Sequence, residues 1–310
     1  MWAAVKTALP LLLSLLFVVP GCASKGGEAK SAEAAAPGNF AFAPRIGSKF
    51  RHVMTRAQEL AIVGTPLRQV EEWKLTWDVE LSAEQDAVLM RATLVTLGLS
   101  VNGAAVLAGD EVTSKQAFVE ILMDSSGQVI DVRRTQTLTD AIVSVARPEA
   151  AEVVRGIFHP EALRYHFAVL AAERTADLVG HPAAVGSSWQ IDAAPDAPGA
   201  ATRTLRVTAE EKCATFTCVK VARETRIAPE IVWESAKAQV ADYVSSQGGD
   251  PAAVTLEKAD VELVDEMLVE PATLQFHSAS FDQAATITVG APSGQLTVKS
   301  SLKRTSSYEF

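Results

Sequence analysis

"WKLTWDVEL", Trp73 to Leu81, alternates without a break: Trp73, Leu75, Trp77, Val79 and Leu81 are apolar, and Lys74, Thr76, Asp78 and Glu80 between them are polar. Successive side chains of a strand point to opposite faces, so this period of two predicts a strand with one face in a core and the other in water. The turn-like "SAEQDA" follows, and then a second apolar stretch from Val88 to Leu97, which predicts a hairpin. A second hairpin is expected where "QAFVEILMD" and "QVIDVRR" flank Ser125-Ser126-Gly127, a composition suited to a tight reversal. Two hairpins imply an antiparallel sheet.

Helices are expected in the middle of the chain. Thr139 is placed to cap "DAIVSVA", and Pro148 and Pro160 each suit a first helical turn, with Glu149 and Glu161 at its positive end. In "HPEALRYHFAVLAA", Leu163, Phe167 and Leu170 recur at helical spacing. Strands resume at Trp189–Asp192, Arg203–Thr208 and Cys218–Arg223. A helix is predicted over Glu234–Ser246, with Trp233, Ala236, Val240 and Val244 on one side and Gly248-Gly249 ending it. The tail reads as strands at "VTLEKADVELV", "ATLQFHSASF", "AATITVG" and "GQLTVKSSLKR". This order predicts an α+β fold: a predominantly antiparallel, curved β-sheet with a few short helices covering one face.

Ile46-Gly47-Ser48-Lys49-Phe50 is echoed by Val185-Gly186-Ser187-Ser188-Trp189, each opening a strand-rich stretch after a proline-containing loop. The echo divides a single β-rich domain, residues 45–310, into candidate repeats 45–180 and 181–310.

The apolar run from Ala8 to Val19 is twelve residues long, short of the roughly 20 that cross a bilayer as a helix. Preceded by Lys6 and followed by small residues, it has the layout of a secretory signal over residues 1–21. Val19-Pro20-Gly21-Cys22 resembles the lipobox of bacterial lipoproteins. That resemblance implies cleavage before Cys22, a diacylglyceryl thioether on its sulfur and an acylated amine, and Ala23-Ser24 implies sorting to the outer membrane. Several acyl chains together anchor stably where one binds only marginally. Residues 22–44 are rich in Ala, Gly, Ser, Glu and Lys and are read as a tether, about 25 Å end to end as a coil. The pattern of "HPAAVGSSW" leading into strands is similar to uncharacterised envelope lipoproteins and, more remotely, to the curved-sheet carriers of lipoproteins or lipids.

A formal net charge of −9, with 5 scattered histidines and no basic cluster, argues against nucleic-acid partners, whose phosphates an acidic surface repels. With Cys22 assigned to the anchor, Cys213 and Cys218 remain in "EKCATFTCVKV". In an oxidising compartment they would pair if a turn ran through Ala214–Thr217; on one continuous strand they would lie about 16 Å apart, too far for a disulfide. The spacing is not that of a CxxC redox motif.

No motif for a serine nucleophile elbow, a zinc helix or a phosphate loop occurs, and no catalytic, cofactor-binding or metal-binding residue is assigned. His159 and His166, seven residues apart with Tyr165 beside them, lack a third ligand at zinc spacing and are read as capping or surface residues. Asp124 and Asp131 in "DSSGQVID" lack the closing glutamate of a calcium loop and are read as a hairpin turn. Trp73 and Trp77 are core residues or the floor of an apolar cavity. These features point to a non-enzymatic envelope lipoprotein that binds an apolar, lipid-like ligand or an envelope protein. An assembly protein of the outer membrane is the alternative, and a hydrolase with dispersed catalytic residues the less favoured one.

Overall fold

In a computed structural model the chain is described over residues 38–109, 117–192, 201–227, 243–291 and 294–310, with residues 233, 237, 240 and 241 between them. The signal segment, Cys22 and the tether up to residue 37 lie outside the described residues. Residues 38–44, read as tether from their neighbours' composition, are packed against the domain. Phe40 is fully buried against the ring of Trp189, its N–H donates to His181 O, and its carbonyl accepts from Gly180 N. Two large apolar side chains, Phe40 and Phe42, dock an otherwise small-residue stretch.

Among the described residues twelve strands form one antiparallel sheet: β1 (Lys49–Ile62), β2 (Arg68–Glu84), β3 (Ala87–Val101), β4 (Ala104–Gly109), β5 (Phe118–Met123), β6 (Val129–Arg133), β7 (Ser188–Ile191), β8 (Ala201–Cys213), β9 (Phe216–Ile227), β10 (Thr255–Glu270), β11 (Gln275–Ala291) and β12 (Gly294–Glu309). The order across it is β6-β5-β3-β2-β1-β12-β11-β10-β9-β8-β7, with β4 added to β3, and the sheet is open and curled. The first strand therefore pairs with the last, Arg51 through Ile62 against Glu309 through Val298. That pairing joins a six-strand N-terminal half to a six-strand C-terminal half.

Both predicted hairpins form. In the first, the turn is only Gln85-Asp86, so both strands run longer than expected. In the second, the Asp124 carboxylate accepts from Ser126 N at 2.8 Å and Gln128 N at 3.0 Å, which commits it to the turn. The stretches "ATLQFHSASF" and "AATITVG" are one strand, β11, because Asp282-Gln283 between them continue the alternation, with Gln283 buried at the inward position.

Three helices cover the N-terminal half: α1 (Thr135–Ser144), α2 (Ala151–Ile157, entered by a 3-10 turn at Pro148–Ala150) and α3 (Pro160–Ala176). Thr139 is not the cap of α1. The helix starts a turn earlier, and the Thr139 hydroxyl sits inside it, 3.0 Å from Thr135 O and 2.6 Å from Phe158 O, tying α1 to the end of α2. Pro160 opens α3 as expected, and His159 caps it, its Nδ1 accepting from Glu161 N. In the C-terminal half a helical segment includes Trp233, Val240 and Val244, all buried; Ala236 lies outside the described residues. Gly249 N closes it on Val244 O at 3.0 Å.

Cys213 and Cys218 are joined in a disulfide with Cα atoms 5.8 Å apart. The chain reverses at Ala214-Thr215, so the single-strand arrangement of these cysteines does not occur.

The echoed pentapeptides make the same local structure. In the first, Ser48 N donates to Arg45 O, Gly47 N to Leu81 O, and Leu81 N to Ser48 O. In the second, Ser187 N donates to Ala184 O, Gly186 N to Val207 O, and Val207 N to Ser187 O. Gly47 has φ +84 and Gly186 φ +90, the left-handed region that glycine enters without steric cost.

Candidate functional site

The site grows from β1. Its burial alternates, so Phe50, His52, Met54, Arg56, Gln58, Leu60 and Ile62 share the face turned toward the helices. Register extends each of these into a row across the sheet. His52 stands between Trp77 and Tyr308, Met54 between Leu75 and Ser306, and Arg56 between Trp73 and Arg304.

Helices α1 to α3 bury most of this face. Leu138, Ile142, Phe158 and Leu163 pack with Trp73, Leu75, Trp77 and Val79 in one core cluster. The Trp77 and Phe167 rings meet edge to face at 5.8 Å, and those of Trp73 and Phe158 at 5.7 Å. The filling is incomplete. A cavity of about 270 Å³ remains between sheet and helices, walled by Met54, Leu75, Trp77, Leu138, Phe167 and their apolar neighbours. Its polar groups are few: His52, Arg304, Tyr308 and Gln275 from the sheet, His166 and Thr175 from α3, and Thr273 from the β10–β11 loop. Among the described residues no carboxylate, cysteine or lysine is in that wall. At one end the His52 and Tyr308 rings stack at 4.5 Å, with Phe50 and Phe310 adjoining.

Beneath the cavity, one row further along the sheet, lies buried charge. Arg56 is 9% exposed; burial pushes its pKa down to about 10, with Glu71 opposing the shift and neighbouring Arg304 adding to it. Its Nη2 donates to Gln58 Oε1, and its Nε has no hydrogen-bond partner. Glu71 is held above the usual carboxylate range by burial, against a hydrogen bond donated by Gln69 and the attraction of Arg56. The same face of the C-terminal half carries a compensated network. Asp177 pairs with Arg223 at 3.0 Å and Arg203 at 3.3 Å, and Arg223 also pairs with Asp265 at 2.9 Å.

Of the residues singled out from sequence, Trp77 and His166 line the cavity, while Trp73 packs behind it on Phe158. His159 and His166 form no common site, since His159 is spent on the α3 cap. Cys213, Cys218 and His277 bring ligand-type atoms within 4.8 Å of one another, but the two sulfurs are bonded to each other. Sequence reading passed over His52, Arg56, Arg304 and Tyr308. It also passed over the β3–β4 hairpin, although Asn102-Gly103, with φ of +50 and +75, is a strong turn signal.

No protein-family model matches the chain, and no curated protein matches it. Solved structures to which it is similar include a protein from Bacteroides fragilis designated exported and of YmcC-like fold, at 11% identity over 85% of this chain and 97% of that one, TM-score 0.21. DynF from the dynemicin biosynthesis pathway of Micromonospora chersina is similar at 6% identity over 91% and 92%, TM-score 0.20. A DUF1329 family protein from Desulfovibrio piger is similar at 7% identity over 81% and 83%, TM-score 0.15. Likeness at this level assigns neither fold family nor activity, and the functional reading rests on the chain's own residues.

Proposed function

We propose that this chain is a lipid-anchored protein of the bacterial outer membrane that binds an apolar ligand, an acyl chain or a molecule of similar shape, without transforming it. The observation that carries the binding role is the cavity between sheet and helices. A void of about 270 Å³ is large for a packed interior, where gaps bigger than a water are few. An apolar wall with a few convergent polar groups is the usual make-up of a small-molecule site. The lipobox-like segment ending at Cys22 supports the anchor, and the Cys213–Cys218 disulfide supports an oxidising compartment. Among the described residues no helix is long and apolar enough to cross a membrane.

The binding role is tested by displacement of an environment-sensitive dye with dodecanol, comparing the parent chain with Ala92→Phe, which places a ring in the cavity wall. Saturable binding that weakens at least tenfold in the variant is expected, and its absence in the parent chain overturns the reading. For the anchor, cells fed a clickable palmitate analogue should label the parent chain and leave Cys22→Ser unlabelled.

A further inference from the structure

We infer that one end of the sheet is a lipid-facing rim: Ile46, Ile130, Val185, Phe216 and Phe310 meet the bilayer surface, and the cavity lies at the same end. The inference rests on the anchor at Cys22 proposed above. Register brings the five to that end, because in an antiparallel sheet the start of each strand lies beside the end of its neighbour. Ile46 leads into β1, whose start faces the ends of β2 and β12. Phe310 follows β12, Phe216 begins β9, Val185 leads into β7, and Ile130 is the second residue of β6. All are exposed, Phe216 least at 39%. Among the described residues, the other large apolar side chains this exposed are Val63, at the opposite end, and Tyr165, on α3. One such side chain is ordinary; a series of them at one end of a fold marks an interaction surface. Two of the five are equivalent, Ile46 and Val185, each standing just before the left-handed glycine of the echoed turn. The hydrogen bonds of that turn are all between backbone groups, so the local structure does not demand an aliphatic residue there.

Where the chain enters the domain points to the bilayer as the surface that covers this rim. Residues 38–45 run along it: Asn39 bridges Pro182 just before β7, Ala41 N donates to Pro271 O just after β10, and Arg45 pairs with Glu270 and lies over the Phe216 ring. Cys22 is 16 positions before Gly38, a link of roughly 22 Å as a coil and at most roughly 55 Å fully extended. β1 and β2, which run from this end to the other, are 14 and 17 residues long, or roughly 45–55 Å. An anchor on Cys22 therefore keeps this rim at the bilayer; the opposite end could touch only with the link drawn out along the whole sheet. The cavity wall draws on the same end, taking Phe42 and Pro44 from the entering segment, Leu274 from the β10–β11 loop and Tyr308 from the end of β12. An apolar ligand dissolved in the bilayer then passes between membrane and cavity without exposing its surface to bulk water, the costly step for such a molecule.

The test uses the mature, acylated chain reconstituted into phosphatidylethanolamine–phosphatidylglycerol vesicles. A single cysteine is introduced as Ile46→Cys, Val185→Cys or Val63→Cys and labelled with an environment-sensitive dye; the Cys213–Cys218 disulfide and an acylated Cys22 do not take the label. Lipids bearing a nitroxide near the headgroup serve as quenchers. Side chains seated in the interface lie within roughly 10 Å of such a group. The dyes at positions 46 and 185 are therefore expected to be strongly quenched, and the dye at position 63 to be unaffected. Equal quenching at all three positions, or none at 46 and 185, overturns the rim and leaves the anchor standing. A blue shift at 46 and 185 that the quencher does not touch would show burial against a second copy of the chain, and overturns it too. A chain that does not float with the vesicles overturns the anchor and the rim together. Should Ile46→Cys or Val185→Cys fail to fold, Ile130→Cys takes its place.

Discussion

The two halves of the sheet begin alike and end differently. Gly47 and Gly186 turn the chain into β1 and β7 with the same set of three backbone hydrogen bonds. Yet the inward face of the N-terminal half is covered by three helices around a cavity. The equivalent face of the C-terminal half is closed by short segments and by the helical segment carrying Trp233, Val240 and Val244: Leu205, Val207 and Val221 are fully buried against Phe40 and Leu178, and Asp177 ties Arg203 to Arg223. The same kind of strand entry therefore supports a hollow interior in one place and a filled one in the other. What covers the sheet decides which. Three helices packed together on a curled sheet cannot follow its curvature everywhere, whereas short segments carrying single side chains such as Phe40 and Leu178 settle into it.

Four tests, six substitutions in all, break or sharpen this comparison. The largest effect is expected from Asp177→Ala, which strands Arg203 and Arg223 as buried, partly unpaired charges; chemical denaturation should report a loss of about 3–5 kcal/mol. Next comes a matched pair of truncations. Leu205→Ala in the filled half should cost about 4 kcal/mol and Leu138→Ala beside the cavity about 2 kcal/mol, because a side chain already facing empty space gives up fewer contacts. Equal losses would mean that the cavity is not empty in solution.

Gly47→Ala and Gly186→Ala should each cost about 1 kcal/mol. Each needs a left-handed backbone, and each has open space where the Cβ would go, so the two values should agree closely in thermal melts. A large disparity would deny the turns their equivalence. The smallest effect is a slope. The folded state holds Glu71 above its unfolded carboxylate range, so the folded chain binds the extra proton between those two values. Stability should therefore fall as pH rises through that window and level off above it. Stability measured against pH should lose that component of the slope in Glu71→Gln.

How legible this was depended on which face of each strand carried the pattern. β2 was plain because from Trp73 to Leu81 its faces are pure, apolar inward and polar outward. β1, the strand at the centre of the sheet, escaped because its inward row runs Phe50, His52, Met54, Arg56, Gln58, and three polar residues in it destroy the period. The residues that hid the strand are the ones that make the candidate site. Thr139 was misread for a related reason: a threonine before an apolar run resembles a cap, and only the position of Phe158 O shows that its hydroxyl serves the helix packing. Likewise His166 was visible as a residue but not as part of a wall built from β1, β2, α1 and α3.

Local order in the chain was sufficient to establish the strands other than β1 and β4, the hairpins at Gln85-Asp86 and Ser125–Gly127, the helix-opening prolines and an antiparallel sheet, because side-chain periodicity and turn chemistry act over a few residues. The pairing of β1 with β12, the void under the helices and the placing of Arg56 beside Arg304 were settled only by the tertiary structure. Those residues are some 250 positions apart along the chain; nothing in a local pattern encodes which distant strand will supply a neighbour. Nor does it encode how much space is left once helices rest on a curved surface.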